Sequence, residues 1–163
     1  MEFPPDSKVW IYVSSRELTD LETSDINLAL ARFTKEWVAH GSDLRATGVV
    51  RYNRFIILMV DETQAGASGC SIDKSVHFLK ELEQEYGLTL FNRLLFTWLE
   101  KDQVNAAPLS ELRRLYEEGR ITNSTLVFNN AINNRKDLDY KWLLPLSESW
   151  VKTKLPDQRP LIS

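Results

Sequence analysis

Apolar residues recur at helical spacing in two stretches of this chain. In the first stretch the spacing is four, three and four residues, so one helix face carries Ile26, Leu30, Phe33 and Trp37. The second stretch repeats the pattern with Ile72, Val76, Leu79, Leu82 and Tyr86. Either Thr19 together with Glu22 or Ser24 alone is expected to cap the first helix, and Gly87 to end the second. The pattern therefore predicts two amphipathic helices.

Runs of β-branched and aromatic residues predict four strands around these helices. They cover residues 9–13, 44–52, 54–60 and 93–99. The third strand is apolar throughout, which is typical of a central strand that is covered on both faces. Asn53 marks the expected turn between the second strand and the third.

The order of these elements is β-α-β-β-α-β, which predicts an α+β fold of the ferredoxin-like, split βαβ kind. In that arrangement a four-stranded antiparallel sheet carries both helices on one face. We expect strands 9–13 and 54–60 to lie centrally and to run parallel. The strand at 93–99 either completes this sheet, begins the C-terminal part of the chain, or joins both.

The chain is expected to form a ferredoxin-like domain over residues 8–103 and a small α/β extension over residues 104–152. The extension holds a short helix from Pro108 to a stop at Gly119, and strands at 125–128 and 141–146. The asparagine-rich residues 129–134 between those strands read as a polar loop. Residues 1–7 and 153–163 are expected to be flexible ends, because both are proline-rich.

Composition excludes several classes of protein. The net charge of −3 argues against a nucleic-acid partner, since phosphate binding needs a basic surface. One cysteine cannot form an internal disulfide, and no Cys/His group has zinc spacing. No apolar run approaches the ~20 residues that cross a bilayer, and the N-terminus lacks the regions of a signal peptide. We therefore expect a cytoplasmic protein without membrane partner, metal or cofactor.

The most informative segment is the small-residue loop and helix start at residues 64–75. Loops of this kind leave main-chain N–H groups uncovered at a helix start, where they attract anions. The candidate ligand-binding residues of this segment are Gly66, Ser68, Gly69, Cys70, Ser71 and Ser75. Arg51 and Arg54, which flank the predicted turn at Asn53, are two further candidates for holding an anion.

Cys70 is the single candidate nucleophile, because a helix start favours the thiolate form of a cysteine. A base within hydrogen-bond reach usually completes such a site. His77 lies seven residues later, about 10 Å along a helix, and does not supply one. A small residue packed in a tight loop is the alternative interpretation of Cys70.

Four segments of the chain together carry a family resemblance: residues 51–55 (RYNRF), 60–62 (VDE), 64–76 (QAGASGCSIDKSV) and 127–130 (VFNN). With these segments, most of the chain resembles an uncharacterised bacterial family found mainly in Bacteroidetes. Members of that family often bear the label ABC transporter ATPase. A nucleotide-binding P-loop, however, needs a glycine directly before its lysine, and here Asp73 precedes Lys74.

A second resemblance is carried by two C-terminal segments, residues 108–121 (PLSELRRLYEEGRI) and 125–127 (TLV). In these segments the chain is similar to the small bacterial GYF-like adaptor domains. This resemblance implies a β-β-α-β module that binds peptides through aromatic side chains. Trp98 stands where such a domain has its early tryptophan, and Phe128 stands in place of a later one. Peptide binding of this kind requires an exposed groove around both side chains.

The sequence as a whole predicts a non-enzymatic module that binds a small anionic ligand or a protein partner through residues 64–75. A homodimer is compatible with this interpretation. Two alternatives stay open: a thiol-dependent enzyme or redox protein that uses Cys70, and a peptide-binding adaptor built on the GYF-like segment.

Overall fold

The computed structural model describes residues 2–39, 42–43, 45–62 and 69–155 of the 163 in the chain. Its helices are α1 (Asp20–Glu36), α2 (Gly69–Tyr86), α3 (Leu112–Glu117) and α4 (Arg135–Tyr140). Its strands are β1 (Lys8–Val13), β2 (Val38–Ala39), β3 (Ser42–Asp43), β4 (Arg45–Arg51), β5 (Phe55–Asp61), β6 (Leu95–Glu100), β7 (Gln103–Pro108), β8 (Leu126–Phe128) and β9 (Leu143–Pro145). Short 3₁₀ helices cover Leu109–Glu111, Leu146–Glu148 and Trp150–Lys154. The expected α+β class is confirmed.

The chain divides into two compact units. Unit 1 comprises Met1–Arg93 and Asn130–Trp142, and unit 2 comprises Leu94–Asn129 and Leu143–Ser163. These limits differ from the expected boundary between residues 103 and 104. The difference arises because β6 belongs to unit 2 and because residues 130–142 return to unit 1.

The sheet of unit 1 has three strands in the order β1-β5-β4, and both pairs of neighbours are antiparallel. The expectation that residues 9–13 and 54–60 run parallel is therefore wrong. The connection through α1 returns the chain to the end of the sheet where β1 began, so β4 runs in the same direction as β1. A tight turn then sends β5 back between them, antiparallel to both.

The ferredoxin-like arrangement is not confirmed, because its fourth strand is not part of this sheet. The residues expected to supply it form β6, which pairs with β7 and β8 in the sheet of unit 2. The outer edge of β1 instead meets the Asn133–Asn134 segment through a bridge between Lys8 and Asn134. A main-chain hydrogen bond of 3.1 Å from Val9 N to Asn133 O accompanies that bridge.

Both long helices contribute to one core on the same face of this sheet. That core contains Ile26 and Leu30 of α1, Leu79 and Leu82 of α2, and Ile56, Leu58 and Val60 of β5. On the opposite face, the rings of Phe55 and Trp142 meet edge to face, with 5.0 Å between their centroids. β5 is thus covered on both faces, as its continuous apolar sequence predicts.

The local signals at the ends of these elements are largely confirmed. Thr19 forms a capping box with Glu22, so the earlier of the two expected caps begins α1. Tyr52 and Asn53 have φ of 55° and 52°, which is the left-handed backbone of a tight hairpin turn. Gly87, with φ of 62°, follows the last residue of α2.

Unit 2 contains a four-stranded antiparallel sheet in the order β7-β6-β8-β9. Its core consists of Phe96, Trp98, Leu112, Leu115, Ile121, Val127, Leu146 and Val151. The sequence did not predict β7, because its residues Gln-Val-Asn-Ala-Ala-Pro lack a strong strand pattern.

Main-chain hydrogen bonds join α4 to Pro5 and Ser7 of the N-terminal segment, for which the sequence predicts flexibility over residues 1–7. Arg135 N donates a hydrogen bond of 3.0 Å to Ser7 O, and Lys136 N donates one of 2.9 Å to Pro5 O. The sequence does not predict α4 either, whose residues lie between the expected polar loop at 129–134 and the expected strand at 141–146. Asn134 caps this helix, with its Oδ1 accepting from Asp137 N at 2.9 Å.

Candidate functional site

Four of the expected site residues lie together on the first two turns of α2. They are Gly69, Cys70, Ser71 and Ser75. Gly66 and Ser68 lie outside the described residues. Gly69 does not have a positive φ, and a Cβ built on it meets no described atom within 4 Å. The described start of α2 therefore does not require a glycine at this position.

The two serines are directed into unit 1 and not into an open cradle. Ser71 and Ser75 are buried, with 0% and 4% of their surface exposed. Ser71 O accepts a hydrogen bond of 2.8 Å from Trp37 Nε1, and Ser75 Oγ donates one of 2.6 Å to Ile72 O. The Trp37–Ser71 contact docks α2 against the end of α1, whereas the Ser75 contact lies within α2.

Cys70 is exposed at the start of α2. His77 is engaged elsewhere on the same helix, with Nε2 3.0 Å from Glu81 Oε1. The second histidine, His40, lies outside the described residues. Within the described chain, the structure supplies no histidine beside the Cys70 thiol.

Arg51 and Arg54 do not join the residues on α2. They lie at the β4–β5 turn, whereas α2 follows the other end of β5, about 20 Å away along a strand of this length. Arg54 donates hydrogen bonds to Ser14 O at 2.8 Å and Ser15 O at 3.1 Å. Burial lowers the pKa of its guanidinium. Arg54 thus fastens the end of β1 to the hairpin.

A cleft of about 470 Å³ lies on unit 1 along the outer edge of β1. We call it the β1 edge cleft, and its lining consists of residues 6, 8–11, 72, 93 and 130–134. Ile72, in the first turn of α2, lines this cleft and also belongs to the segment at residues 64–75 that the sequence singles out. The cleft itself was not predicted, since no local motif marks it.

The charged residues that line the β1 edge cleft are Asp6, Lys8 and Arg93. Lys8 Nζ lies 3.8 Å from Glu62 Oε1, at the long end of ion-pair distances. Arg93 is exposed. Burial raises the pKa of Tyr12, and the positive charge of Arg93 opposes that rise. The cations therefore outnumber the acids on the lining by one.

Asparagine side chains shape the opposite wall of the cleft. Asn130 Oδ1 accepts a hydrogen bond of 3.0 Å from Trp142 Nε1. Asn134 Nδ2 donates to Asn133 Oδ1 at 3.3 Å and to Asp137 Oδ2 at 3.1 Å. These bonds lie within residues 130–142, and the hydrogen bond from Val9 N to Asn133 O holds this segment beside β1.

The carboxylate of Asp61 is buried at the end of β5 nearest to this cleft. Its Oδ2 lies 3.0 Å from Arg45 Nη1, and the Arg45 guanidinium also lies 4.6 Å from the centroid of the Phe3 ring. This ion pair gives Asp61 a structural partner. Among the described residues, no group of three or more His, Cys, Asp or Glu side chains is arranged to hold a metal ion.

The aromatic groove expected of a GYF-like peptide site is not formed. Trp98 is 2% exposed and Phe128 is 1% exposed, so both side chains belong to the interior of unit 2. Trp98 stacks on Phe96 with 5.1 Å between ring centroids. The order β6-β7-α3-β8 is strand, strand, helix, strand, but these two side chains offer no surface to a peptide.

A comparison with protein-family models, curated proteins and solved structures found no match to this chain. Both family resemblances therefore stay predictions. Along the described ranges, none of the helices combines the length and the apolar character that a bilayer crossing demands.

Proposed function

We propose that this protein binds a small anionic ligand in the β1 edge cleft, beside the start of α2. The observation that carries this proposal is the cleft lining, which contains two cations, Lys8 and Arg93, and one acid, Asp6, with Lys8 Nζ 3.8 Å from Glu62 Oε1. Arg93 is exposed, and no ion pair to it is found within the described residues. Its guanidinium is therefore able to form a bidentate contact with a carboxylate or a phosphate.

The start of α2 adds to the positive potential of the cleft. A helix of 18 residues carries a partial positive charge of about half an elementary charge at its N-terminus. The first turn of α2 contains no acidic residue that would neutralise this charge. Ile72 brings that turn to the cleft wall. In this proposal the segment at residues 64–75 takes part in ligand binding through Ile72. Ser71 and Ser75 are buried in unit 1 and do not contact the ligand.

A cytoplasmic location is part of the proposal. The single thiol of Cys70 is exposed, and a reducing compartment keeps such a thiol from cross-linking two chains. Phosphates and carboxylates of small metabolites are the anions that such a compartment supplies in abundance.

The test is a binding measurement with inorganic phosphate, succinate and ATP, each followed by thermal shift and by NMR titration. An anion that binds only the folded chain raises the unfolding temperature, and the rise grows with the logarithm of its concentration relative to its Kd. We expect at least one of the three to do so, with NMR shifts at Lys8, Ile72 and Arg93.

Arg93→Gln is the informative variant, and Arg32→Gln is its matched control. Both remove one exposed arginine of unit 1, but Arg32 lies on α1 and does not line the cleft. The proposal requires that Arg93→Gln lose the stabilisation while Arg32→Gln keeps it. Equal responses of the two variants, or no response to any of the three anions, would overturn it.

A further inference from the structure

We infer that the ligand of the β1 edge cleft is an extended acidic peptide segment, which adds to β1 as a further strand. This inference rests on the anion site proposed above and names the class of molecule that supplies the anion. Three features support it: the direction of the main-chain groups along β1, the apolar side chains at the cleft, and the charge of its lining.

On the outer edge of β1, the main chain forms hydrogen bonds at Val9 and, just beyond the strand, at Ser15. Among the described residues it forms none on that edge between these two positions. Val9 N donates to Asn133 O at 3.1 Å, so the main-chain groups of Val9 point away from β5. Alternate residues of a strand point the same way, which directs the N–H and C=O of Ile11 outward as well. Beyond β1, Ser15 N donates to Thr89 O at 2.9 Å.

Ile11 lies between these two contacts. Over the described chain, its outward N–H and C=O have no hydrogen-bond partner. Ile11 also lines the cleft, with 5% of its surface exposed. Unpaired strand edges are the surfaces to which an extended peptide binds by strand addition.

The walls of the cleft suit a peptide better than an isolated ion. Ile72, 38% exposed, and Ile132, 8% exposed, give the lining of the cleft an apolar part. The stretch from Val9 to Val13 is about 13 Å long, which matches three or four residues of an extended peptide. A cleft of about 470 Å³ is also within the range of specific ligand sites.

The charge of the lining selects an acidic peptide. A peptide main chain is neutral, so strand addition alone does not use Lys8 or Arg93. A Glu or Asp side chain, or a terminal carboxylate, pairs with the Arg93 guanidinium while the main chain pairs with Ile11. The two contacts together place an acidic residue within a few positions of the paired segment.

The probe is the synthetic peptide acetyl-Thr-Val-Thr-Val-Glu with a free C-terminus, titrated into the full chain and followed by NMR. Two further peptides carry N-methyl groups on alternate amides, one on the first set and one on the second. Only one set of amides faces β1 in a given register, so we expect one methylated peptide to bind about tenfold more weakly and the other to bind normally. Exchange of the Ile11 amide hydrogen should slow by about tenfold on saturation.

The outcomes separate this inference from the anion site itself. If phosphate or succinate binds in an Arg93-dependent manner but the peptide leaves exchange at Ile11 unchanged, strand addition is excluded and the anion site stands. If both methylated peptides bind as well as the parent peptide, the main chain does not pair and the inference is likewise wrong. If neither the anions nor the peptide bind, both proposals fail.

Discussion

Arg16 and Glu22 form a two-bonded ion pair, with Nη1–Oε1 at 2.8 Å and Nη2–Oε2 at 2.7 Å. Arg16 Nη2 also donates to Tyr86 O at 2.6 Å, and Glu22 Oε1 accepts from Thr19 N at 3.0 Å. The pair therefore joins the capping box of α1 to the last residue of α2. It joins the two long helices, α1 and α2, at the end opposite to the Trp37–Ser71 contact.

We expect this pair to make the stability of unit 1 sensitive to acid. The Arg16 hydrogen bond and the Thr19 amide lower the pKa of Glu22 from 4.5 to about 2. Because the pKa is lower in the folded chain, the stabilisation is complete above about pH 4.5 and is lost as the pH falls towards 2. Unfolding temperatures of the parent chain and of Glu22→Gln between pH 7 and pH 2 measure this contribution.

Glutamine can still close the capping box, so Glu22→Gln isolates the charge from the cap. The difference in unfolding temperature between the two chains should shrink as the solution is acidified. Glu36→Gln, which removes an exposed carboxylate from the other end of α1, is the control and should show no such convergence. A constant difference for Glu22→Gln across the pH range would contradict the assignment.

Gly48 sets how closely α1 approaches the sheet. A Cβ at this position would lie 3.0 Å from Leu30 Cδ2 and 3.0 Å from Leu58 Cδ2, and both leucines are fully buried. We expect Gly48→Ala to lower the free energy of unfolding by about 1 kcal/mol, the low end of the cost of overpacking. Urea unfolding measures the change.

Gly69→Ala is the matched control for that substitution. A Cβ on Gly69 meets no described atom within 4 Å, and its φ is not in the left-handed region. Alanine at this position should leave stability unchanged or raise it by a few tenths of a kcal/mol. Equal losses in both variants would show that crowding at Leu30 is not the cause.

The sequence predicts α1, α2, β1, β4 and β5 of unit 1 well because their signals are local. The spacing of Ile26, Leu30 and Phe33 and the cap at Thr19 each depend on residues within two helical turns. Strand direction and membership depend instead on long-range pairing. The sequence of β6 fits either sheet, and its pairing with β7 and β8 assigns it to unit 2. The sequence pattern of β7 is itself weak.

The candidate site was harder to predict, for the same physical reason. The β1 edge cleft assembles from Lys8, Ile72, Arg93 and residues 130–134, which are separated by up to 126 positions. No spacing rule relates them. The segment at residues 64–75 that the sequence singles out includes Ile72, which lines the cleft. The same segment also suggested Ser71 and Ser75 as ligand contacts, although their apolar neighbours at helical spacing place both serines on the buried face.

Cys70 gives a test of the thiol hypothesis. Cys70 is exposed and lies on a different face of α2 from its buried neighbour Ser71. We therefore expect Cys70→Ser to change the free energy of unfolding by less than about 0.5 kcal/mol. If anion binding does not use the thiol, phosphate or succinate should bind this variant as they bind the parent chain. Loss of binding in Cys70→Ser, with the fold intact by circular dichroism, would instead favour a functional thiol.

Trp98 is held in unit 2 by packing and not by its polar group. Among the described residues its buried Nε1 has no hydrogen-bond partner, whereas its ring stacks on Phe96 and lies 5.8 Å from the Arg120 guanidinium. Phenylalanine preserves the stack and removes the unpaired N–H, so Trp98→Phe should cost about 1 kcal/mol, compared with about 3–5 kcal/mol for Trp98→Ala. Guanidinium unfolding of the two variants measures both values. If Trp98→Phe is as damaging as Trp98→Ala, the indole N–H has a partner and packing alone does not account for its role.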